Sequence, residues 1–302
     1  MINEIGGDVT DPQTNISVLE RRRDRDIINA GDNSKAKKEL LAKKTIAIGA
    51  LGSGSDYSPF IQHLGIPSVD FGFGGENGGG EYHSIYDSYD NYRRFKDSGS
   101  VYGVVLAKVA GRTTLRMADA DVLPFDFKSL YKTIGSYVTE VTGMLDQLRE
   151  TTSVENQLIR EKRYTYAADP TKNELPPTVK DEVPFLNFSA LQNAMNQLEK
   201  SSNKLSAYTA KAGLSATQKN SLNKQLYQAE QQLLSENGLP RRPWYRHTIY
   251  APGFYTGYGV KTLPGIREAI EQRNWKEAQE QIDIDAATIS KFAAYLDGAA
   301  VN

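Results

Sequence analysis

Apolar side chains recur at steps of three and four residues through FKSLYKTIGSYVTEVTGMLDQLRE, residues 127–150. That spacing puts them on one face of an α-helix, which must pack against another element. The same rule predicts further helices over 185–208, 215–236 and 275–300. Ser215 is a plausible N-cap, and Gly238 lies just beyond the end of the third helix. Four such helices predict an all-α bundle over residues 124–302, and we interpret their apolar stripes as core rather than as a cofactor site.

Residues 1–123 follow a different pattern, in which short apolar runs alternate with turn sequences. TIAIGA, residues 45–50, and IPSVDFGFGG, residues 66–75, predict buried strands, and YSPFIQHLG between them predicts a helix. A longer helix is predicted over 99–120. Strands separated by helices predict an α/β layer, although so few strands make only an incomplete sheet. The predicted fold is therefore a partial α/β domain followed by a four-helix bundle.

Composition and local motifs exclude several kinds of site. The 302 residues include no cysteine, which excludes disulfides and thiolate metal sites. A formal net charge of −1 argues against a nucleic-acid partner, and ERRRDRD, residues 20–26, is interpreted as a solvated helical face rather than an anion site. GSGSD, residues 52–56, is neither a nucleophile elbow nor a phosphate-binding loop, so the plain interpretation is a turn in which Ser55 or Asp56 caps a helix.

No export signal and no membrane segment are expected in this sequence. The first residues, MINEIGGDVTDPQTN, lack a basic region followed by an apolar core. No apolar run approaches the roughly 20 residues that cross a bilayer. The compartment is undetermined on these grounds.

Two irregular segments are candidates for function. The first runs from the glycine-rich GGENGGGE into EYHSIYDSYD, residues 81–90, and contains His83, one of three histidines. Imidazole is a common metal ligand, but no histidine lies three or four residues away, so His83 is either a ligand with distant partners or a hydrogen-bonded structural residue. The second segment, residues 239–269, is dense in proline, glycine and aromatic residues, and loops of that length are often functional.

Four motifs together resemble a known family. In chain order they are LGSGSDYSPFIQHLGIPSVDFGF, EYHSIYDSYD, ADADVLPFDF and GLPRRPWYRHTIYAPGFYTGYGVKTLPGI. They closely resemble the C-terminal half of the glutamate carboxypeptidase and transferrin receptor family, over nearly the whole chain. The resemblance implies the C-terminal part of a zinc-peptidase α/β domain over 1–123 and a transferrin receptor-like dimerisation domain over 124–302, and hence a homodimer.

The resemblance also implies a chemistry. The family's enzymes are similar to aminopeptidases with two zinc ions, which together hold a hydroxide and polarise the scissile carbonyl. His83 matches the last metal ligand in chain order, and Tyr82 matches a tyrosine that donates a hydrogen bond to the tetrahedral oxyanion. The remaining ligands and the general base precede the region that this sequence matches. Because zinc sites need three or four protein ligands, this chain alone is expected to bind zinc weakly at most and to be inactive.

Specificity is implied in the same way. The positions assigned to substrate binding are Gly54, Ser55, Asp70 and Tyr258. Arginines that bind acidic residues in the family fall here on Asp70 and Gly72, and a Lys-Tyr pair that grips a terminal glutamate falls on Gly257 and Tyr258. Neutral or basic peptides are therefore expected in place of acidic ones.

Three interpretations follow. The chain is the C-terminal part of a secreted or periplasmic zinc exopeptidase, acting as an amino-, carboxy- or dipeptidase on small peptides. Alternatively, it is a non-catalytic dimerisation or binding module, as in the transferrin receptor branch, or a decayed pseudoenzyme that folds by itself. Retention of Tyr82 and His83 favours the first interpretation, because a receptor has no need of a zinc ligand.

Overall fold

The structure is a computed structural model. It describes residues 1–75, 80–211 and 213–300. These residues form two compact units: the first consists of Met1–Gly49 and Val69–Pro124, and the second of Ala50–Ser68 and Phe125–Asn302. The family-based division between residues 123 and 124 stays a prediction.

The first unit is helical. Its helices are α1 (Ile2–Asp8), α2 (Val18–Asn29), α3 (Ser34–Ala42), α4 (Tyr89–Asn91) and α5 (Val101–Ala118), with a π-helical turn over Tyr92–Lys96 after α4. Ser17 caps α2 by accepting the N–H of Glu20. The core is small and consists of Ile5 of α1, Val9 directly after that helix, and Val105 and Val109 of α5. Of the predicted features, the helix over 99–120 is confirmed as α5.

The two predicted strands are wrong. Within the described residues, neither 45–50 nor 66–75 forms a β-strand. A strand needs the backbone of a neighbouring strand as its hydrogen-bonding partner. Here the side chain of Asn3 pairs with the backbone of Ile46, accepting its N–H at 2.8 Å and donating to its carbonyl at 3.3 Å. Phe71 packs instead against the helical core.

The partial α/β domain is therefore not confirmed, because the described residues of the first unit contain helices, irregular segments and an isolated β-bridge between Thr10 and Ser17, but no β-strand. Residues 76–79 of the predicted glycine-rich loop lie outside the described residues.

The second unit is a helical bundle, as predicted. Its helices are α6 (Phe127–Arg160), α7 (Arg163–Ala167), α8 (Ser189–Thr209), α9 (Ala216–Gln228), α10 (Pro264–Glu271) and α11 (Trp275–Ala299), with a π-helical turn over Pro59–Leu64 and a 3-10 turn over Ala229–Leu233. Strands β1 (Tyr250–Pro252) and β2 (Val260–Thr262) form an antiparallel hairpin in which Tyr250 lies opposite Thr262.

The third predicted helix begins as expected but ends early. Ser215 caps α9, and Gln218 completes the capping box. The α-helix stops at Gln228, where the 3-10 turn begins, so the predicted end at 236 is wrong. Gly238 belongs to a later turn, in which its φ is +66° and a Cβ atom would lie 2.2 Å from the carbonyl oxygen of Pro243.

Helices α8 and α11 run parallel along each other. At one end, the N–H of Asn187 donates to Gln279 at 2.8 Å. At the other, Lys204 pairs with Asp297 at 3.6 Å. The side chains buried on these helices include Leu191, Leu198, Leu205, Ile282, Ile289 and Leu296. None of the described helices combines the length and the apolar character that a membrane crossing requires.

Candidate functional site

Gly52 and Gly54 lie against Tyr258 in the second unit. The N–H of Ser53 donates to the carbonyl oxygen of Tyr258 at 3.3 Å. A Cβ atom on Gly52 would lie 2.2 Å from that oxygen. One on Gly54, whose φ is +92°, would lie 2.5 Å from the Tyr258 ring. Because only glycine leaves room for this approach, these two residues let the GSGSD turn contact the later loop.

Ser55 closes the turn through its backbone. Its carbonyl accepts the N–H of Ser58 at 3.0 Å and the hydroxyl of Ser58 at 2.8 Å, while the Ser55 side chain is exposed. The π-helical turn that follows has Ser58 as its N-cap, so the predicted capping by Ser55 or Asp56 is wrong.

The side chain of Gln62 fixes the GSGSD turn through hydrogen bonds to the backbone of the turn. This side chain is fully buried, and its amide nitrogen donates to the carbonyls of Leu51 at 3.1 Å and Gly52 at 3.2 Å. The backbone carbonyl of Gln62 accepts the N–H of Arg246 at 2.8 Å. One residue therefore links the GSGSD turn to the start of the segment that leads to Tyr258.

The loop that carries Tyr258 is the tip of the β1–β2 hairpin, residues 253–259. The N–H of Gly253 donates to the carbonyl of Gly259 at 2.9 Å, which closes the loop. Tyr255 and Tyr258 are exposed, and Phe254 is partly exposed. We call these three side chains the aromatic tip.

A buried ion pair supports the aromatic tip. Arg242 and Glu268 are 9% and 6% exposed and lie 2.8 Å apart. The second oxygen of Glu268 accepts the N–H of Phe254 at 2.7 Å, and Arg242 also donates to the carbonyl of Pro252. Buried charges need such partners, since an unpaired charge in the interior is strongly unfavourable.

Tyr82 and His83 lie in an exposed turn of the first unit. The carbonyl of Glu81 accepts the N–H of Ser84 at 2.9 Å and its hydroxyl at 2.7 Å. His83 has a left-handed φ of +59°, and its N–H donates to Asp87 at 3.4 Å. The rings of Tyr82 and His83 are stacked with centroids 3.7 Å apart. Both side chains are exposed and so accessible to a ligand.

Asp70 is also exposed in the first unit, next to Phe71, whose side chain packs against the core. Within residues 1–75, 80–211 and 213–300, no three histidine or acidic side chains come together in a way that could hold a metal ion. Among the described residues, His83 is therefore not part of a group of three potential metal ligands.

The other two histidines have structural contacts. His63 is stacked on Trp244 at 5.1 Å, and its Nδ1 lies 2.8 Å from the Trp244 carbonyl. His247 is fully buried, and its Nε2 lies 2.9 Å from Glu230, which also accepts the Tyr250 hydroxyl. Burial raises the pKa of Glu230, but the hydrogen bond and charge of His247 outweigh it, so the pKa lies below its ordinary value. Burial and the nearby Glu230 raise the pKa of Tyr250.

Sequence reasoning missed the residues that support the site. The structure brings Gly54 and Tyr258 together in the second unit and Tyr82 and His83 together in the first. It adds Gln62 and the pair of Arg242 and Glu268. Gln62 and Arg242 lie within the first and fourth of the motifs, but the motifs indicated no role for them. A glutamine on the apolar side of YSPFIQHLG was the available signal for Gln62, because a buried amide must find partners.

Comparison with known proteins defines a class for the second unit. Residues 186–297 match the family model described as "Transferrin receptor-like dimerisation domain". This segment extends from the start of α8 into the last turns of α11 and includes the hairpin, so this part of the second unit is similar to that domain family.

Similar proteins extend the match toward the N-terminus. The chain is 30% identical over 238 residues to "Probable glutamate carboxypeptidase LAMP1" of Arabidopsis thaliana, which covers 76% of this chain and 29% of the relative. It is 31% identical over 242 residues to "Probable glutamate carboxypeptidase" of Arthroderma benhamiae, covering 78% and 29%. It is 26% identical over 268 residues to "Aminopeptidase NAALADL1" of Rattus norvegicus, covering 83% and 31%.

The chain thus spans only about 30% of the length of these relatives and is similar to their C-terminal part. The resemblance to the glutamate carboxypeptidase and transferrin receptor family that the four motifs predicted is confirmed. The names of the relatives support membership of a peptidase family.

Proposed function

We propose that this chain is the C-terminal portion of a zinc-dependent exopeptidase that hydrolyses small peptides. In this proposal Tyr82 is the oxyanion donor and His83 is a metal ligand. Gly54, Ser55, Asp70 and Tyr258 are residues that bind the substrate. The observation that carries the proposal is the contact of Gly54 with Tyr258, because it joins two of the family's substrate-binding motifs in a chain whose relatives are named as peptidases.

The described residues do not by themselves fit a zinc site. Zinc needs three or four protein ligands, and His83 has no second and third ligand among them. We therefore propose that the 302-residue chain is inactive alone. Activity belongs to a protein in which His83 meets ligands from the part of the family that this chain does not span.

Hydrolysis and zinc content test this proposal together. The native protein, isolated from its source and sized by intact mass, is expected to hydrolyse a panel of dipeptides and to lose that activity when zinc is removed. The recombinant 302-residue chain is expected to bind substoichiometric zinc and to hydrolyse nothing.

In the native protein, Tyr82→Phe should lower kcat by roughly 10²-fold with little change in KM, since an oxyanion donor acts in the transition state. Tyr89→Phe, on the exposed helix α4, serves as the matched control and should leave both constants unchanged. Zinc-loaded native protein without activity on any dipeptide would refute the proposal.

A second candidate function is a non-catalytic dimerisation or binding module. It is favoured by the match of residues 186–297 to a dimerisation domain, which needs no catalytic residue. In either case we propose that the chain forms a homodimer through its helical unit.

Light scattering coupled to size exclusion tests the homodimer, which would have twice the chain mass of 33.5 kDa. A dimer from a native protein of the same length, without zinc or hydrolysis, would support the module in place of the enzyme. A monomer at all concentrations would contradict the dimerisation proposal.

A further inference from the structure

The charged side chains around the aromatic tip are neutralised within the chain. Arg241 makes a bidentate pair with Glu277, at 2.7 and 2.9 Å. Arg242 is buried against Glu268, and Lys261 pairs with Glu271. Bidentate guanidinium–carboxylate pairs are among the stronger polar contacts in proteins, because both partners are charged and the geometry is fixed.

Arg241 is the cation to consider for a ligand at the aromatic tip. Its guanidinium carbon lies 5.8 Å from the centre of the Phe254 ring, and its side chain is 40% exposed. Arg242 also lies over Phe254, at 5.9 Å, but it is nearly buried. Without Glu277, the guanidinium of Arg241 would be free to bind a carboxylate beside Phe254.

We propose that Glu277 is a specificity-determining residue, which occupies Arg241 so that the aromatic tip accepts an apolar or aromatic substrate side chain and rejects a carboxylate. The ligand class is a peptide whose side chain at this subsite is uncharged and large, because aromatic rings attract other rings and apolar groups through contact area and edge-to-face geometry. A carboxylate there would meet Glu277 as a like charge. The inference rests on the proposed function in one respect, namely that the aromatic tip borders the substrate cleft.

Binding to the 302-residue chain tests the inference without any need for activity. The probes are N-acetyl-phenylalaninamide and N-acetyl-glutamate, titrated while the backbone amide signals of Gly257 and Tyr258 are followed by NMR. We expect the phenylalanine probe to bind at least about tenfold more tightly, a difference of about 1.4 kcal/mol. Equal binding of the two probes, tighter binding of glutamate, or no response to the phenylalanine probe would overturn the inference.

Three variants separate specificity from simple damage to the fold. Glu277→Gln should raise the affinity for N-acetyl-glutamate about tenfold and leave the phenylalanine probe within twofold, because it frees one guanidinium. Glu280→Gln is the matched control on the same helix, since Glu280 is exposed and pairs with Lys276, and it should change neither affinity. Combining Arg241→Gln with Glu277→Gln should abolish the gain. A gain that persists without Arg241 would overturn the inference.

Hydrolysis by the native protein then distinguishes the two proposals. Cleavage of Ala-Phe about tenfold faster than Ala-Glu in kcat/KM, with the ratio reduced by Glu277→Gln, supports both. Cleavage that favours Ala-Glu refutes the specificity inference and leaves the peptidase proposal standing. No cleavage of either peptide, combined with selective binding of the phenylalanine probe, refutes the peptidase proposal and retains the aromatic tip as a binding surface.

Discussion

At the scale of single residues, Gly52 is a position that has no room for a side chain. Its missing side chain lets two distant segments touch, because a Cβ atom there would lie 2.2 and 3.0 Å from backbone atoms of Tyr258 and Val260. A flexible side chain could move aside, but backbone atoms within a hairpin cannot. Gly54 differs in this respect, because its near neighbour is the ring of Tyr258.

We predict that Gly52→Ala destabilises the second unit by about 1–3 kcal/mol, the usual cost of an atom that does not fit in a packed site. Urea unfolding followed by tryptophan fluorescence measures it, because both tryptophans, Trp244 and Trp275, lie in that unit. Gly143→Ala in α6 is the control, since a Cβ atom there meets nothing within 4 Å and should raise stability by up to about 1 kcal/mol. Equal effects of the two substitutions would contradict the close-approach argument.

Asp11 organises the first unit from one buried carboxylate. It is 2% exposed and accepts the N–H of Thr14 at 3.0 Å, the guanidinium of Arg21 at 2.6 Å and the hydroxyl of Tyr102 at 3.0 Å. Burial by itself raises the pKa of Asp11, but the bonds from Thr14, Arg21 and Tyr102 outweigh it and lower the pKa to about 2.

A lowered pKa means that the folded unit binds the Asp11 proton less readily than the unfolded chain does. The stabilisation, about 2 kcal/mol, is therefore fully present above the ordinary pKa and is lost as the pH falls from about 4 to about 2. We predict that Asp11→Asn removes this part of the pH dependence and weakens the unit at pH 6. Hydrogen exchange of peptides from α1 and α5, corrected for the intrinsic rate at each pH, measures both effects.

The control for Asp11 is Asp8→Asn. Asp8 pairs with Arg116 at the surface, where an ion pair contributes about 0–1 kcal/mol. The Asp8→Asn variant should leave hydrogen exchange at pH 6 nearly unchanged. A similar loss of protection in both variants would show that the buried hydrogen bonds of Asp11 do not determine the stability of the first unit.

At the scale of elements, the segment between α7 and α8 is held by side chains. Residues 168–188 contain neither helix nor strand. Asn156 of α6, which is 2% exposed, donates to the carbonyl of Lys180 at 2.7 Å and accepts its N–H at 2.9 Å. Arg273 donates to the carbonyl of Asp181 at 2.9 Å. A single buried amide thus pairs with this segment as a neighbouring strand would.

We predict that Asn156→Leu releases the segment, because it removes both hydrogen bonds at nearly constant side-chain volume. Two hydrogen bonds that contribute about 1 kcal/mol each correspond to a change of roughly tenfold or more in the equilibrium constant for local opening of the segment. Trypsin cleavage after Lys180, followed by mass spectrometry under native conditions, should accelerate by that factor. Gln157→Leu, whose side chain is exposed and pairs with Glu161, should cleave at the wild-type rate. An unchanged rate in Asn156→Leu would mean that other contacts hold the segment.

The elements also indicate what the sequence could predict. Helices α6, α8 and α11 followed from apolar spacing, because each has a buried stripe longer than three turns. Helix α2 has no buried residue, so apolar spacing could not reveal it. The charge pattern of ERRRDRD indicated a solvated helical face there instead, and Arg22 and Asp26 pair at 3.0 Å. The prediction of two strands in the first unit was wrong because an apolar run indicates burial, whereas a strand also depends on a partner strand elsewhere in the chain. The contact of Gly54 with Tyr258 joins positions far apart in sequence, and only the family resemblance associated them.

At the scale of the whole molecule, the two units differ greatly in their cores. The first unit buries four hydrophobic side chains, those of Ile5, Val9, Val105 and Val109, and the second holds all the other buried hydrophobic residues that the structure describes. The first unit also leaves large apolar side chains exposed, among them Ile85 at 89% and Phe95 at 78%. Because buried apolar area is the main source of folding free energy, the first unit should be much the less stable.

We therefore predict that the 302-residue chain does not unfold in one step. Far-UV circular dichroism, which reports helices of both units, should begin to change at lower urea than tryptophan fluorescence, which reports the second unit alone. Ile5→Ala should shift only the first dichroism transition to lower urea. Leu198→Ala should lower the urea midpoint of the fluorescence transition. Each substitution should cost about 2–5 kcal/mol in the core of its own unit. Coincident curves in the wild type, or an equal response of both probes to Ile5→Ala, would mean that the small core of the first unit is stabilised by the second and does not set its own stability.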